Sequence, residues 1–303
     1  MIASLLVKEL LGVFRIGLVL VIICWLSPRA FFSWWGIFIC SLAVGLYIGS
    51  TIYFSSRAIM RQLQFIPEKQ DFAQEIDRCG FLPNSVMLRY SYAEDGVAKT
   101  IGNMVQIDPL MWHGLDDDRQ AQKAIEVLNV HVVPVLSKEI QELYANIKKD
   151  LSFETQRFIF RHELGHVARN YSVKKILLMG LTGVSAAAIA LVAAKLTIGF
   201  LGGLGAFIVG VIVGGCTDLC ITNAGNYFFK QYEEVMADRF AIAYSSAQEI
   251  EAAADFFEQY DLLSKPFRKK NIGTESDFWY SVLFGYPSGS YRVGYLRLAA
   301  KEK

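Results

Sequence analysis

Hydrophobic and polar positions fall into long blocks along this chain rather than alternating evenly. Residues 30–56 carry no charged side chain, 27 in a row, and two more charge-free runs of 19 and 22 residues cover 176–194 and 196–217. About 20 apolar residues cross a bilayer as a single helix, whose backbone donors and acceptors are all satisfied within the segment. These runs predict membrane spans, the first over about 30–54, and Leu10 to Leu26 predicts a further one over about 10–26. Arg15 lies near one end of that stretch, where a long side chain can snorkel to the headgroups. Trp25, Trp34 and Trp35 mark an interface, and Pro28 breaks the chain between the first two spans. The four spans pair into one hairpin within 1–56 and a second within 176–217, the latter turning near Lys195.

Basic residues orient the arrangement. The two hairpin turns carry one each, Arg29 and Lys195, whereas segment 57–175 carries 16 and segment 218–303 carries ten. Arg57, Arg61, Lys174 and Lys175 lie directly against span ends, where this bias acts most strongly. Both termini and both polar segments are therefore expected on the positive side of the membrane, the cytosol of a bacterium. The N-terminus leads straight into a second span and lacks a small-residue cleavage site, which does not suit a cleaved signal peptide.

Ser152 to Asn170 reads as a helix in the first polar segment. Ser152 can cap it, Glu154 suits the positive first turn, and Phe158, Ile159 and Leu164 form an apolar side. Within it stands His162-Glu163-Leu164-Gly165-His166, an HExxH pattern. Four helical residues turn through about 400°, so His162 and His166 project from one face, one turn apart. Two imidazoles so placed can fill two corners of a tetrahedral zinc site. Glu163, about 100° round from His162, can reach a water at the metal without ligating it. A catalytic zinc needs a third protein ligand and one open position.

The second polar segment offers that ligand. Glu234 and Asp238 lie four apart on a predicted helix and point the same way. Glu234 can ligate while Asp238 accepts the free N–H of a ligating histidine. Read alone, the same pattern is a solvated acidic helix face, with Glu233 pointing to water in either reading.

Composition narrows the picture without changing it. The 303 residues are 53% hydrophobic and 19% charged, which excludes disorder, and the net charge of +1 gives no bulk attraction to nucleic acid. Five cysteines are scattered; Cys216 and Cys220, one turn apart, read as buried small apolar residues. His113 and His131 lack partners at ligand spacing.

HELGH at 162–166, a hydrophobic hairpin, then Glu234-xxx-Asp238 followed by Arg239-Phe240-Ala241 resembles the membrane-embedded zinc metallopeptidases of the HtpX heat-shock protease and CAAX prenyl protease group, over roughly residues 85–300. Four spans with the second pair between the zinc motifs resemble HtpX more than the many-spanned prenyl protease. The resemblance implies a mainly α integral membrane protein with four transmembrane helices and a zincin-like α+β metallopeptidase domain carrying a small antiparallel sheet near 86–108. That domain is split between 57–175 and 218–303. It also implies Zn2+ held by His162, His166 and Glu234, Glu163 as general base, and Asp238 behind the ligands.

Two features depart from the group. Val97-Ala98-Lys99-Thr100 stands where the group carries an Asn-Ala-Phe-Ala-like stretch, with Ile101 to Asp108 as the candidate substrate-binding edge strand. Tyr286-Pro287-Ser288 and Arg292 stand where the group shows His-Pro-Ser and a following Arg. Tyr286 and Arg292 can each donate to an oxyanion, or simply anchor the final helix.

The expected activity is membrane-bound, zinc-dependent endoproteolysis. The third span begins ten residues after His166, and Glu234 lies 17 residues beyond the fourth. At about 1.5 Å per helical residue the metal lies within roughly 15–25 Å of the bilayer surface, favouring membrane or membrane-proximal polypeptides as substrates and a role in protein quality control. An inactive scaffold of the same fold, a prenyl-protein processing enzyme and an intramembrane protease are the other readings. Arg157, Arg161, Arg169 and Asn170 count against the last.

Overall fold

The computed structural model of the chain describes residues 33–62, 64–65, 70–82, 85–90, 98–107, 151–272 and 287–303. The expected span at 10–26, Tyr286, His113 and His131 lie outside the described residues. The chain divides into two compact units, one drawn from residues 1–55 and 174–226, the other from 56–173 and 227–303.

A long apolar helix, α1 (Trp34–Gln62), whose residues up to 55 belong to the first unit, starts where Ser33 accepts the Gly36 N–H at 3.0 Å. Cys40, Ile37 and Leu191 form a small buried cluster there. The helical run α4 (Tyr171–Tyr244) has one non-helical residue inside it, Gly202, at φ 68 and ψ 179. Only glycine occupies that backbone region readily, so the run is two helical arms, 171–201 and 203–244, folded back on one another. Their approach is close: a Cβ on Gly210 would lie 3.0 Å from the Ala190 carbonyl oxygen. The hairpin therefore turns seven residues beyond the expected position near Lys195. Lys195 is compatible with helix and remains in it, its Nζ 3.9 Å from the centre of the Trp34 ring.

The second unit combines α2 (Gln70–Arg78), α3 (Phe153–Ala168), α5 (Ala247–Ile272) and α6 (Gly289–Lys301) with a four-stranded sheet. The strands are β1 (Gln64–Phe65), β2 (Met87–Tyr90), β3 (Ala98–Ile101) and β4 (Met104–Ile107), in the order β1-β2-β4-β3. The expected antiparallel sheet is in fact mixed, because β2 and β4 run parallel, Met87 opposite Met104 and Tyr90 opposite Ile107. Among the described strands β1 and β3 lie at the edges, β3 one step earlier than the stretch singled out from the sequence, and β4 is paired on both sides. Burial explains the difference: Met104, Val105, Gln106 and Ile107 are all buried, as suits an interior strand. β3 and β4 join through Gly102-Asn103, with Gly102 at φ 65, a two-residue hairpin turn with glycine first.

Helix α3 lies at the centre of the unit. Ser152 caps it, its hydroxyl accepting the Thr155 N–H at 3.2 Å, and Glu154 occupies the first turn. One side, with Ile159, Phe160 and Leu164, joins a core with Phe72 and Ile76 of α2 and Val105 and Ile107 of β4. Phe158, on another side, packs with Ala241, Ile250, Ala254 and Leu296. At about 25 cal/mol per Å² of apolar surface removed from water, such two-sided burial is the main force fixing the helix that carries HExxH.

Candidate metal centre

Arg161, immediately before the first histidine, is fully buried and anchors α3. Its Nε donates to Glu75 at 2.7 Å, and its Nη1 donates to Glu249 at 2.7 Å and to Ser245 at 2.9 Å. Burial works against the charge of Arg161, and hydrogen bonds from Glu75 and Glu249 outweigh it, so its pKa is raised. At the other end Arg169 makes a two-pronged contact with Glu233, at 3.1 and 3.2 Å. Glu233 is thus buried and paired, not turned to water as the sequence suggested.

Between these anchors α3 meets the 203–244 arm at Gly165. A Cβ there would sit 3.0 Å from both Ala237 Cα and Phe240 Cβ, so only glycine permits this approach without displacement. The crossing brings the two polar motifs together. His162 Nε2 lies 3.3 Å from Glu234 Oε2, and His166 Nε2 lies 3.4 Å from Glu234 Oε1. One ligand atom from each of the three lies within 4.8 Å of the others. Donors at zinc bond lengths of about 2.1 Å, placed on tetrahedral corners, stand about 3.4 Å apart. Each imidazole stands at about that distance from a Glu234 carboxylate oxygen, a different oxygen in each case, and the donor set, two imidazole nitrogens and a carboxylate, suits zinc.

Asp238 stands one turn beyond Glu234. Its Oδ1 is 2.8 Å from His162 Nδ1, so Nδ1–H donates to the carboxylate and Nε2 is the nitrogen turned towards Glu234. Burial favours a neutral Asp238, but Arg292 and His162 overcome it and hold the carboxyl below its ordinary value. Burial likewise opposes charge on His162, and Asp238 outweighs it, pushing the imidazole up to about 9. Among the described residues His166 Nδ1 has no hydrogen-bond partner.

Arg292, a candidate oxyanion donor or anchor of the final helix on the sequence, pairs with Asp238. Its Nε donates to Oδ2 at 2.9 Å and its Nη2 to Oδ1 at 2.6 Å, while its Cζ lies 3.7 Å from the Phe257 ring centre. The guanidinium is thus on the Nδ1 side of His162, acting on the imidazole through Asp238. Glu163 is buried, and Thr100 of β3 reaches it: the hydroxyl lies 2.6 Å from Oε2 and 3.0 Å from the Glu163 carbonyl oxygen. Thr100 was not singled out from the sequence as a partner of Glu163, because 63 residues separate the two and no local pattern links them. Tyr171 is a second unforeseen neighbour, its ring 4.9 Å from that of His166 and stacked on Phe229 at 5.5 Å.

A helix-borne His-His-Glu set with a glutamate beside it and a carboxylate behind it defines a metallopeptidase type of centre. Residues 131–297, more than half of the chain, match Peptidase family M48, and the chain belongs to that family of zinc metallopeptidases. No curated protein and no solved structure matches the chain.

Proposed function

We propose that the chain is a membrane-bound, zinc-dependent endopeptidase that cleaves membrane or membrane-proximal proteins in quality control. The observation that carries the reading is the convergence of His162, His166 and Glu234 at separations suited to one zinc, with Glu163 next to them in sequence and Asp238 behind. A zinc ion held there supplies Lewis acidity, polarising a scissile carbonyl and lowering the pKa of a water towards about 7. Glu163 takes the proton from the attacking water and returns it to the leaving amine. Asp238 fixes the tautomer and ring angle of His162, and Arg292 holds Asp238 ionised. An extended substrate would add along the free edge of β3 through backbone hydrogen bonds, which favours broad specificity.

Two helices, α1 over Trp34–Thr51 and α4, are long and apolar enough to cross a membrane. Large apolar side chains on them are exposed, among them Trp35, Leu46, Leu196, Phe200 and Leu204. That supports membrane insertion, and the basic residues at the span ends favour a cytosolic site. Within the family, a hairpin between the two motifs favours the HtpX branch over prenyl-protein processing. A peptide assay with lipidated and unlipidated substrates separates the two.

The decisive test is metal analysis of the full chain beside Glu234→Ala and Glu163→Gln. The proposal expects about one zinc per chain in wild type and Glu163→Gln, loss of zinc in Glu234→Ala, and cleavage of a membrane protein by wild type only. Wild-type cleavage by Glu163→Gln removes the proposed base, and zinc binding by Glu234→Ala at wild-type affinity removes the site.

A further inference from the structure

We infer that Thr100 is a positioning residue for Glu163, holding one carboxylate oxygen so that the other is presented for proton transfer. The inference rests on the reading of Glu163 as the base. Thr100 is 7% exposed on an edge strand, paired with Val105 across the hairpin, so its hydroxyl is turned away from water and must find an acceptor within the protein. Among the described residues both of its acceptors belong to Glu163: its Oε2 at 2.6 Å and its backbone oxygen at 3.0 Å. A hydroxyl has one proton to give. An ionised carboxylate is the stronger acceptor, and 2.6 Å lies within the range for an O–H···O⁻ bond.

The consequence follows from torsions. Glutamate has three rotatable side-chain bonds, and a base placed beside a metal site acts only while its free oxygen faces the water it must deprotonate. Anchoring Oε2 to a strand restricts those torsions and makes Oε1 the oxygen that takes the proton. The anchor does not come from α3, which carries Glu163, nor from the 203–244 arm, which carries Glu234. It comes from β3, an edge strand of the sheet among the described residues. The adjoining turn is fixed as well, since the Gly102 N–H donates to Ser172 Oγ at 2.7 Å. Strand position and base orientation are therefore mechanically joined: a shift of β3 changes where the Glu163 carboxylate points.

The test uses the full chain in detergent, loaded with zinc, with fluorescently labelled casein as the probe, and compares Thr100→Val, Thr100→Ser and Glu163→Gln. Thr100→Val keeps the shape and removes the donor; it is expected to lower kcat about 10- to 100-fold with KM and zinc affinity as in wild type, and to lower the thermal midpoint modestly because a buried carboxylate oxygen loses its donor. Thr100→Ser restores the donor and is expected to keep kcat within about threefold of wild type. An infrared difference spectrum of the metal-free protein gives a readout free of turnover. Thr100→Val should shift a carboxylate stretching band that Glu163→Gln lacks altogether.

The inference is overturned if Thr100→Val has wild-type kcat, if its loss accompanies weakened zinc binding, or if no carboxylate band moves. If Glu163→Gln is inactive while Thr100→Val is fully active, only the role of Thr100 fails. If Glu163→Gln itself turns over casein at the wild-type rate, the reading of the base fails.

Discussion

Asp238 is 1% exposed and faces two cationic or proton-bearing groups at once, the Arg292 guanidinium and the His162 Nδ1–H. A buried carboxylate in that position is tolerable only because both partners are present. Replacing Asp238 with Ala should weaken zinc binding about 10- to 100-fold, the usual cost of losing the group that orients a ligating imidazole, as read by chelator competition. Arg292→Met leaves the carboxylate without its cation and should cost about 3–5 kcal/mol in stability, seen as a lowered unfolding midpoint. An unchanged midpoint would mean that the ion pair is open to water. At this scale the sequence showed those residues of the site whose partners lie within a helical repeat. His162 with His166, and Glu234 with Asp238, are four apart and share a face by helix geometry alone. Arg292 was visible without its partner, and Thr100 without its role. The first finds its carboxylate 54 positions away and the second its glutamate 63 away, distances over which no periodicity carries information.

At the level of elements, the site depends on how closely α3 crosses the 203–244 arm, and Gly165 sets that distance. Gly165→Ala gains about 1 kcal/mol of helix propensity, but its Cβ would stand 3.0 Å from two atoms of the facing helix, one of them backbone. A helix backbone does not yield as a side-chain tip does, so overpacking of about 1–3 kcal/mol should outweigh the gain. The expected result is a less stable protein whose zinc affinity falls by about tenfold, because the two histidines move away from Glu234. Wild-type affinity in Gly165→Ala would show that the crossing has slack.

The same helix is held from outside by Arg161 between Glu75 and Glu249. Burial tends to raise the Glu249 pKa, but the Arg161 hydrogen bond outweighs it and the value lies below the ordinary one. A depressed folded-state pKa stabilises above the unfolded value and is lost as pH falls through the folded value. Glu249→Gln should thus be less stable than wild type near pH 7, with the two melting curves converging below about pH 4. A gap that persists at low pH would assign the loss to packing. The elements themselves were legible where hydrophobic period and caps agree, as at Ser152. Strand direction was not, since alternation reads the same in parallel and antiparallel pairs, and β2 pairs with β4 across an intervening strand in sequence. The hairpin break was misplaced for a related reason: a charge in an apolar run marks polarity, whereas the backbone turned at the residue able to adopt φ 68.

For the whole molecule, the distribution of charge supplies the argument that side-chain contacts do not. Segments 57–175 and 218–303 hold 26 of the 30 basic residues, and the two predicted turns hold one each. If two hairpins are inserted, both segments lie on one side and the motif pair His162–His166 and Glu234 can meet; an odd number of crossings between them would separate HELGH from Glu234 by a bilayer. With both arms inserted, as proposed, the break at Gly202 would make that count even. A fluorescent protein fused after Lys303 in a bacterial host should therefore fold and fluoresce in the cytosol, while alkaline phosphatase fused at the same point stays inactive. The membrane fraction should retain the chain after carbonate washing and release it only to detergent. Substituting Lys174 and Lys175 by Gln should weaken that orientation by removing the charges nearest the expected third span, and a partly active phosphatase fusion would register the inverted molecules. A phosphatase fusion active in the unaltered chain would place the C-terminal segment outside the cytosol, and the basic-residue argument would then fail for this protein.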